Sequence, residues 1–189
     1  MKLPEPGRED LRKKFLSLKT PRELAFLLVI KYEKLNYLIY KKETSAKYRS
    51  FYLNKKSGGH RRIDTPIGPL KIVQRKLNDI LQLIYTPKPS VHGFIFDRNI
   101  VTNSQAHIRK PVILNLDLKD FFPSINFGRV RGMFMGYPYK LPPKIATFIA
   151  QICCHNNQLP QGAPTSPIIS NMICSKLDST RPCPFLLLK

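Results

Sequence analysis

The stretch Asn115-Leu116-Asp117-Leu118-Lys119-Asp120-Phe121-Phe122-Pro123-Ser124-Ile125 places two carboxylates three residues apart, directly behind the short apolar run Val112 to Leu116. The span Pro111 to Leu118 is too short for a helix of ordinary length, carries Val and Ile at its start and is closed by Pro123, so it reads as a buried core strand. Asp117 stands near its end. A carboxylate there costs desolvation unless something positive meets it, and a hard divalent cation such as Mg2+ is a common partner in phosphoryl-transfer sites. The first expectation is a metal-dependent enzyme acting on nucleotides, although a D-x-x-D pair alone also occurs in loops and helix caps.

A second stretch, Leu159-Pro160-Gln161-Gly162-Ala163-Pro164-Thr165-Ser166-Pro167-Ile168-Ile169-Ser170-Asn171, narrows the reading. Its prolines delay a helix expected from about Ile168 to Asp178, leaving a loop that leads into a helix N-terminus. Taken together, the two stretches resemble the reverse transcriptases, most closely the retron-type branch of bacterial enzymes that includes relatives of group II intron proteins. In that family D-x-x-D-F-F is the first palm motif, and L-P-Q-G-x-x-x-S-P opens the helix beneath the incoming nucleotide. Ser90-Val91-His92-Gly93-Phe94, followed by Arg98-Asn99-Ile100-Val101-Thr102-Asn103 and His107, is similar to the retron-type sequence just before the palm strand. The resemblance runs from about Tyr48 to Asp178. It implies an α+β fold of right-hand polymerase fingers and a partial palm, with an antiparallel palm sheet packed on helices and the thumb absent. The implied divisions are an N-terminal helical segment over 1–45, fingers over 46–110, partial palm over 111–178 and an atypical tail over 179–189.

The same resemblance assigns roles. Asp117 is implied as the catalytic residue and metal ligand, with the backbone carbonyl of Leu118 adding an oxygen to the same Mg2+. Asp120 is expected to order the turn that holds the triphosphate. Phe122 would crowd the 2′ position of the sugar and so favour deoxynucleotides by steric clash; without the motif it reads as a packed core Phe. Gln161 would lie beside the nucleotide and the templating base, and Gly162 would allow close backbone approach. The implied partners are an RNA template, a DNA or RNA primer and deoxynucleotide triphosphates.

Working back along the chain, Tyr48 to Asp64 reads as a hairpin turning at Gly58-Gly59. Lys55, Lys56, His60, Arg61 and Arg62 give its tip a cationic character, whose bland alternative is a solvated turn. By resemblance this is the fingers hairpin that closes over nucleotide phosphates. Arg62, in the local pattern R-I-x-x-P, is then the main phosphate contact, with Lys55 also binding nucleotide and Lys56 and Arg61 meeting RNA. A helix from about Leu70 to Tyr85 follows, with Ile72, Val73, Leu77, Ile80, Leu81 and Ile84 on its apolar side and Lys71, Arg75 and Lys76 opposite. Lys71 and Arg75 are candidate contacts to the template backbone. His92 and His107 are single histidines read as structural hydrogen bonders.

Composition agrees with a polyanion partner. The chain has 189 residues, with 32 Lys and Arg against 12 Asp and Glu for a formal charge of +20, more imbalance than solubility requires. The charges spread through the whole chain rather than along one amphipathic helix, which favours nucleic acid over a membrane surface. No apolar run approaches the length of about 18 residues that spans a bilayer, and the N-terminus is too polar for a secretory signal, so a cytoplasmic protein is expected. The 4 cysteines form neither a C-x-x-C pair nor a disulfide frame and read as reduced thiols without zinc.

At the N-terminus, a basic helical segment from Arg8 to Leu18 precedes Thr20-Pro21-Arg22-Glu23, a capping box that starts a helix expected to continue to Tyr40 with Phe26, Val29 and Ile30 widening its apolar face. Asn126 to Phe134 and Pro143 to Cys154 read as further helices. After Asp178 the sequence departs from the family, and the aromatic-x-Asp-Asp hairpin expected next is missing. This reads as a truncation, a frameshifted end or half of a split enzyme completed by a second chain, inactive alone, with Phe185 to Leu188 exposing apolar surface. The competing reading is a non-catalytic RNA-binding remnant that keeps the basic fingers.

Overall fold

The computed structural model describes residues 5–41, 43, 45–55, 58–113, 115–175 and 187–188. Nine α-helices, a π-helical turn and a two-stranded antiparallel hairpin are found among them, an arrangement compatible with the α+β class. The central strut is α4 (Gly68–Ile84), against which α1 (Glu5–Leu16), α8 (Pro143–Cys153) and α9 (Ser166–Cys174) pack. Pro69 suits its first turn, and Leu70, Val73, Leu77, Ile80, Leu81 and Ile84 recur at helical spacing to form the buried face. Each such side chain contributes about 1.5–3 kcal/mol when fully buried. Ile72, expected on that face, is instead exposed, since the helix turn carries it about 100° away from Val73. At the other end of α4, Arg8 donates to the carbonyls of Leu83 (2.6 Å) and Tyr85 (3.3 Å), placing a cation where the helix leaves its acceptors unpaired.

The single helix expected from Thr20 to Tyr40 is three pieces: α2 (Pro21–Leu27), α3 (Tyr32–Asn36) and a π-helical turn, Tyr37–Lys41. Its start is as read, with Thr20 Oγ1 accepting from the Glu23 amide at 3.3 Å, while the Glu23 carboxylate accepts from the Lys19 amide at 2.8 Å. The break comes at Val29, whose φ is 52°. Val29 N–H bonds Phe26 O and Ile30 N–H bonds Ala25 O, the pattern that ends a helix on a left-handed residue, a place normally held by glycine. Lys76 Nζ donates to Val29 O at 3.0 Å, so this lysine ties the turn to α4 instead of joining the basic face expected for it. With the helix ended there, Phe26 (86% exposed) and Val29 (78%) lie outside the core.

Strands β1 (Tyr48–Asn54) and β2 (His60–Pro66) form the expected hairpin, in register from Tyr48↔Pro66 to Asn54↔His60. Gly58 and Gly59 take φ of 87° and 80° at its tip, where only glycine is unstrained. Its base is buried at Tyr48, Asp64 and Pro66, and its outer half is exposed. The base is held by a polar network. Gln74 Nε2, wholly buried on α4, donates to Tyr48 Oη (2.9 Å) and to Ile152 O of α8 (2.7 Å), and the Tyr48 ring stacks on His155 with centroids 4.0 Å apart.

The buried strand read over Pro111 to Leu118 is not found as such. β3 is the two residues Asn115–Leu116, paired in parallel with β4 (Leu187–Leu188), and Val112 (65% exposed) and Ile113 (54%) lie at the surface. The antiparallel sheet packed on helices is the β1–β2 hairpin, and this two-residue pairing is parallel. A strand is buried by its neighbours, and among the described residues only this short pairing flanks it. The helix expected over Asn126 to Phe134 is present nearby, together with two further short helices. α5 (Ile100–Gln105) begins at an Asn99 cap, a one-turn α6 (Phe121–Ser124) follows the acidic stretch, and α7 (Phe127–Met135) is capped by Asn126, which accepts from the Arg129 amide at 2.9 Å. α9 starts at Ser166, two residues before the expected start, because Pro167 fits a first turn. Lys56, Asp178, Cys183 and Phe185 lie outside the described residues. No helix among the described residues is long and apolar enough to cross a membrane.

Two contacts join the stretches that carry the sequence motifs. Leu159 N–H donates to Ile125 O (3.0 Å), and Asp64 N–H donates to Gln161 O (2.8 Å). At the second, Gly162 has φ +113°, and a Cβ built on it would stand 2.8 Å from Ile63 Cγ2 and 2.9 Å from Thr65 Oγ1. The close approach expected of Gly162 is thus made to strand β2. Gly162→Ala should lower stability by about 1–3 kcal/mol from backbone strain and speed hydrogen exchange at the Asp64 amide; an unchanged melting temperature and exchange rate would deny that contact. Burial lowers the pKa of His155 from its ordinary value near 6.5, with Asp64 opposing and Arg62 and Lys47 adding to the effect. The unfolded chain therefore takes up the proton first. This contribution to stability is complete above about pH 6.5 and is lost as pH falls through that value towards the lower folded pKa. His155→Phe, which keeps a ring on Tyr48, should show a shallower fall of melting temperature with acidification than the parent chain.

Candidate functional site

An open cleft of about 1280 Å³ lies between the hairpin, the start of α4, the loop 90–94, the stretch 117–123 and the loop leading into α9. The site residues read from sequence converge on it. Arg62, Lys55, Arg61, Lys71, Arg75, Asp117, Leu118, Asp120, Phe122, Gln161 and Gly162 all line it. Among the described residues, six Lys or Arg side chains border it (55, 61, 62, 71, 75 and 119) against three Asp (64, 117 and 120), so its field favours an anion.

The basic wall is β2. Arg62 Nε donates to Asp64 Oδ1 at 3.0 Å, Arg62 Nη2 to Ser50 Oγ at 3.3 Å, and Ser50 Oγ to Asp64 Oδ1 at 2.5 Å. Residues two apart on a strand share a face, and Ser50 pairs directly across from Asp64. Asp64 and Ser50 were not singled out in the sequence; the only trace of them is that alternation. Lys55 and Arg61 are exposed at the rim, where Lys55 closes the tip by accepting Gly58 N–H at its carbonyl (3.1 Å).

The floor carries the acids. Asp117 and Leu118 are exposed to the cleft. Asp120 takes a left-handed conformation (φ 50°) at the start of α6, and its carboxylate makes no capping bond. The turn is closed by Ser124 N–H on Asp120 O at 2.9 Å, so the backbone, not the Asp120 side chain, orders it. Phe122 is half-buried, packed on the core and in tilted contact with Phe121 at 5.5 Å, while still lining the cleft. The core packing expected of it without the motif is thus present, at the edge of the cleft. Mg2+ requires about six oxygen donors in near-octahedral array. The described residues hold no group of three or more His, Cys, Asp or Glu side chains that could bind a metal. Asp117 and the Leu118 carbonyl are donors of the right type, but they do not complete such a site.

Two enclosed acceptors, Gln161 Oε1 and Asn103 Oδ1, line the cleft without a donor among the described residues. Asn103, which also lines the cleft, was quoted in sequence only as part of a motif. The loop 90–94 is pinned from behind. Arg98 Nη1 donates to the carbonyls of Lys88, Pro89 and Val91, Asn171 Nδ2 to Gly93 O (2.8 Å) and Gln82 Nε2 to Phe94 O (3.0 Å). His92 Nδ1 lies 3.2 Å from Thr102 Oγ1, in keeping with its structural reading, and burial together with Arg98 and His107 lowers its pKa.

No protein-family model matches the chain. It is 40% identical over 153 residues to the retron Ec86 reverse transcriptase of Escherichia coli, covering 79% of this chain and 46% of that protein. It is 35% identical over 149 residues to the retron Mx65 reverse transcriptase of Myxococcus xanthus (69% of this chain, 34% of the relative), and 31% over 194 to the retron Mx162 enzyme of the same organism (92% and 40%). The chain spans less than half the length of each. Over most of its own length, then, this chain is related in sequence to the retron-type reverse transcriptases.

Proposed function

We propose that this chain forms the nucleotide- and template-binding part of a retron-type RNA-directed DNA polymerase, in which the RNA template is copied into DNA. The observation that carries the reading is the meeting of D-x-x-D-F-F, L-P-Q-G and the basic hairpin in one cationic cleft. The hairpin and the first turns of α4 supply charge for a polyanion, Arg62 through a planar fork suited to phosphate oxygens and Lys55, Lys71 and Arg75 as rim cations. Arg61, and Lys56 beyond the described residues, extend that surface towards RNA. The two enclosed acceptors, Gln161 Oε1 and Asn103 Oδ1, suit the donor groups of a base or a sugar hydroxyl. Phe122, half-buried beside the floor, is proposed to crowd the 2′ position of the sugar.

Asp117 is proposed as one carboxylate of the Mg2+ site, with Leu118 O beside it. Mg2+ would supply charge neutralisation at the reacting phosphate. Because the described residues offer too few oxygens for the ion, polymerisation requires further donors, from a second chain or from the rest of a complete enzyme. The fingers and partial-palm assignment, the RNA and primer partners and a cytoplasmic location belong to this same reading. The alternative is an RNA-binding module without catalysis.

Primer extension on an RNA template, with and without an added polypeptide carrying the aromatic-x-Asp-Asp segment and the thumb, separates the two. Extension that needs the added piece and disappears in Asp117→Ala supports the polymerase; RNA binding without extension in any combination supports the module. In an extending enzyme, Phe122→Ala should admit ribonucleotides, and an unchanged sugar preference would return Phe122 to packing alone. RNA affinity of the chain should fall steeply with salt, as release of counterions demands, and a flat response would remove the polyanion reading.

A further inference from the structure

Arg62 stands on a strand whose outer half is exposed, where an arginine would ordinarily sample many rotamers and lose that freedom on gripping a ligand. Here it is already held. Its Nε and Nη2 are engaged by Asp64 and Ser50 at 3.0 and 3.3 Å, and these two partners are bonded to each other at 2.5 Å. Only 4% of the Asp64 side chain is exposed, against 48% for Arg62. The carboxylate is thus shielded behind the guanidinium, which extends from it into the cleft. The same residue reaches the facing wall through its backbone, since Asp64 N–H donates to Gln161 O at 2.8 Å.

A carboxylate near a phosphate site weakens anion binding by Coulomb repulsion. Its place behind Arg62 is accounted for by orientation instead. We propose that Asp64, assisted by Ser50, is a positioning residue that presents the Arg62 guanidinium to a triphosphate and fixes its separation from the Gln161 loop. The proposal rests on the reading of the cleft as a triphosphate site. Asp64 does not touch the nucleotide; it acts through Arg62.

The test is calorimetric titration of the 189-residue chain with dTTP, alongside thermal unfolding of every variant. Arg62→Ala and Asp64→Ala should each weaken binding about tenfold, the scale of one charge-assisted contact. The double variant should bind no more weakly than Arg62→Ala. Asp64→Asn, which keeps an acceptor for Nε, should retain most of the affinity, and Ser50→Ala should show a smaller loss than Asp64→Ala. Unchanged or tighter binding in Asp64→Ala, or additive losses in the double variant, would overturn the proposal. If Asp64→Ala does not fold, Ser50→Ala and Arg62→Ala decide in its place: undiminished binding in Ser50→Ala, beside a loss in Arg62→Ala, overturns it. Failure of the parent chain to bind dTTP would overturn the triphosphate reading itself, a result distinct from binding that is indifferent to Asp64.

Discussion

The bond from Asp64 N–H to Gln161 O, made at the one place where a side chain on residue 162 would collide with strand β2, holds the two sides of the cleft together. Without it the hairpin and the loop into α9 would be separate features of the surface. Because the contact is backbone to backbone, it fixes distance without depending on rotamers. The side chains of Arg62 and Gln161 then project from a common frame, as a site that must hold a ligand in one orientation requires.

Behind that frame lies a second constraint, buried and polar. Gln74 joins β1 to α8 by donating to Tyr48 Oη and Ile152 O, and its own Oε1 has no partner among the described residues. Burial raises the Tyr48 pKa, with Gln74 acting against it, so the phenol is neutral at ordinary pH. An amide in a helix core is costly unless bonded. Its two bonds fix where the hairpin leaves the core, which apolar packing alone would specify less sharply.

What the sequence made legible was local. The Gly-Gly tip, the Thr20 cap and, apart from Ile72, the apolar face of α4 each depend on a few neighbouring residues, and each is found. The D-x-x-D-F-F and L-P-Q-G stretches were legible for another reason: their residue order is specific, and the chain is similar to retron reverse transcriptases over most of its length. The misses depend on residues far away in sequence. Nothing local marks Val29 as a left-handed helix stop, because the turn is held by Lys76 from another helix. Val112 and Ile113 have the pattern of a buried strand, but among the described residues no neighbour covers them. Asp64 looked like one more polar strand residue until Ser50 and Arg62 were seen beside it. Its importance lies in a cross-strand register that composition does not encode.

The hairpin is gripped at one end only, with Tyr48, Asp64 and Pro66 buried and the seven-residue strands otherwise reaching into solvent. At about 3.3 Å per residue, such a strand is a lever roughly 20 Å long, so a tilt of about 10° at the buried end swings the tip by about 3–4 Å. The width of the cleft at its rim is therefore governed by packing around the base. Sequence change at Gln74, His155 or Gly162 can retune that aperture while every cation on the rim stays the same.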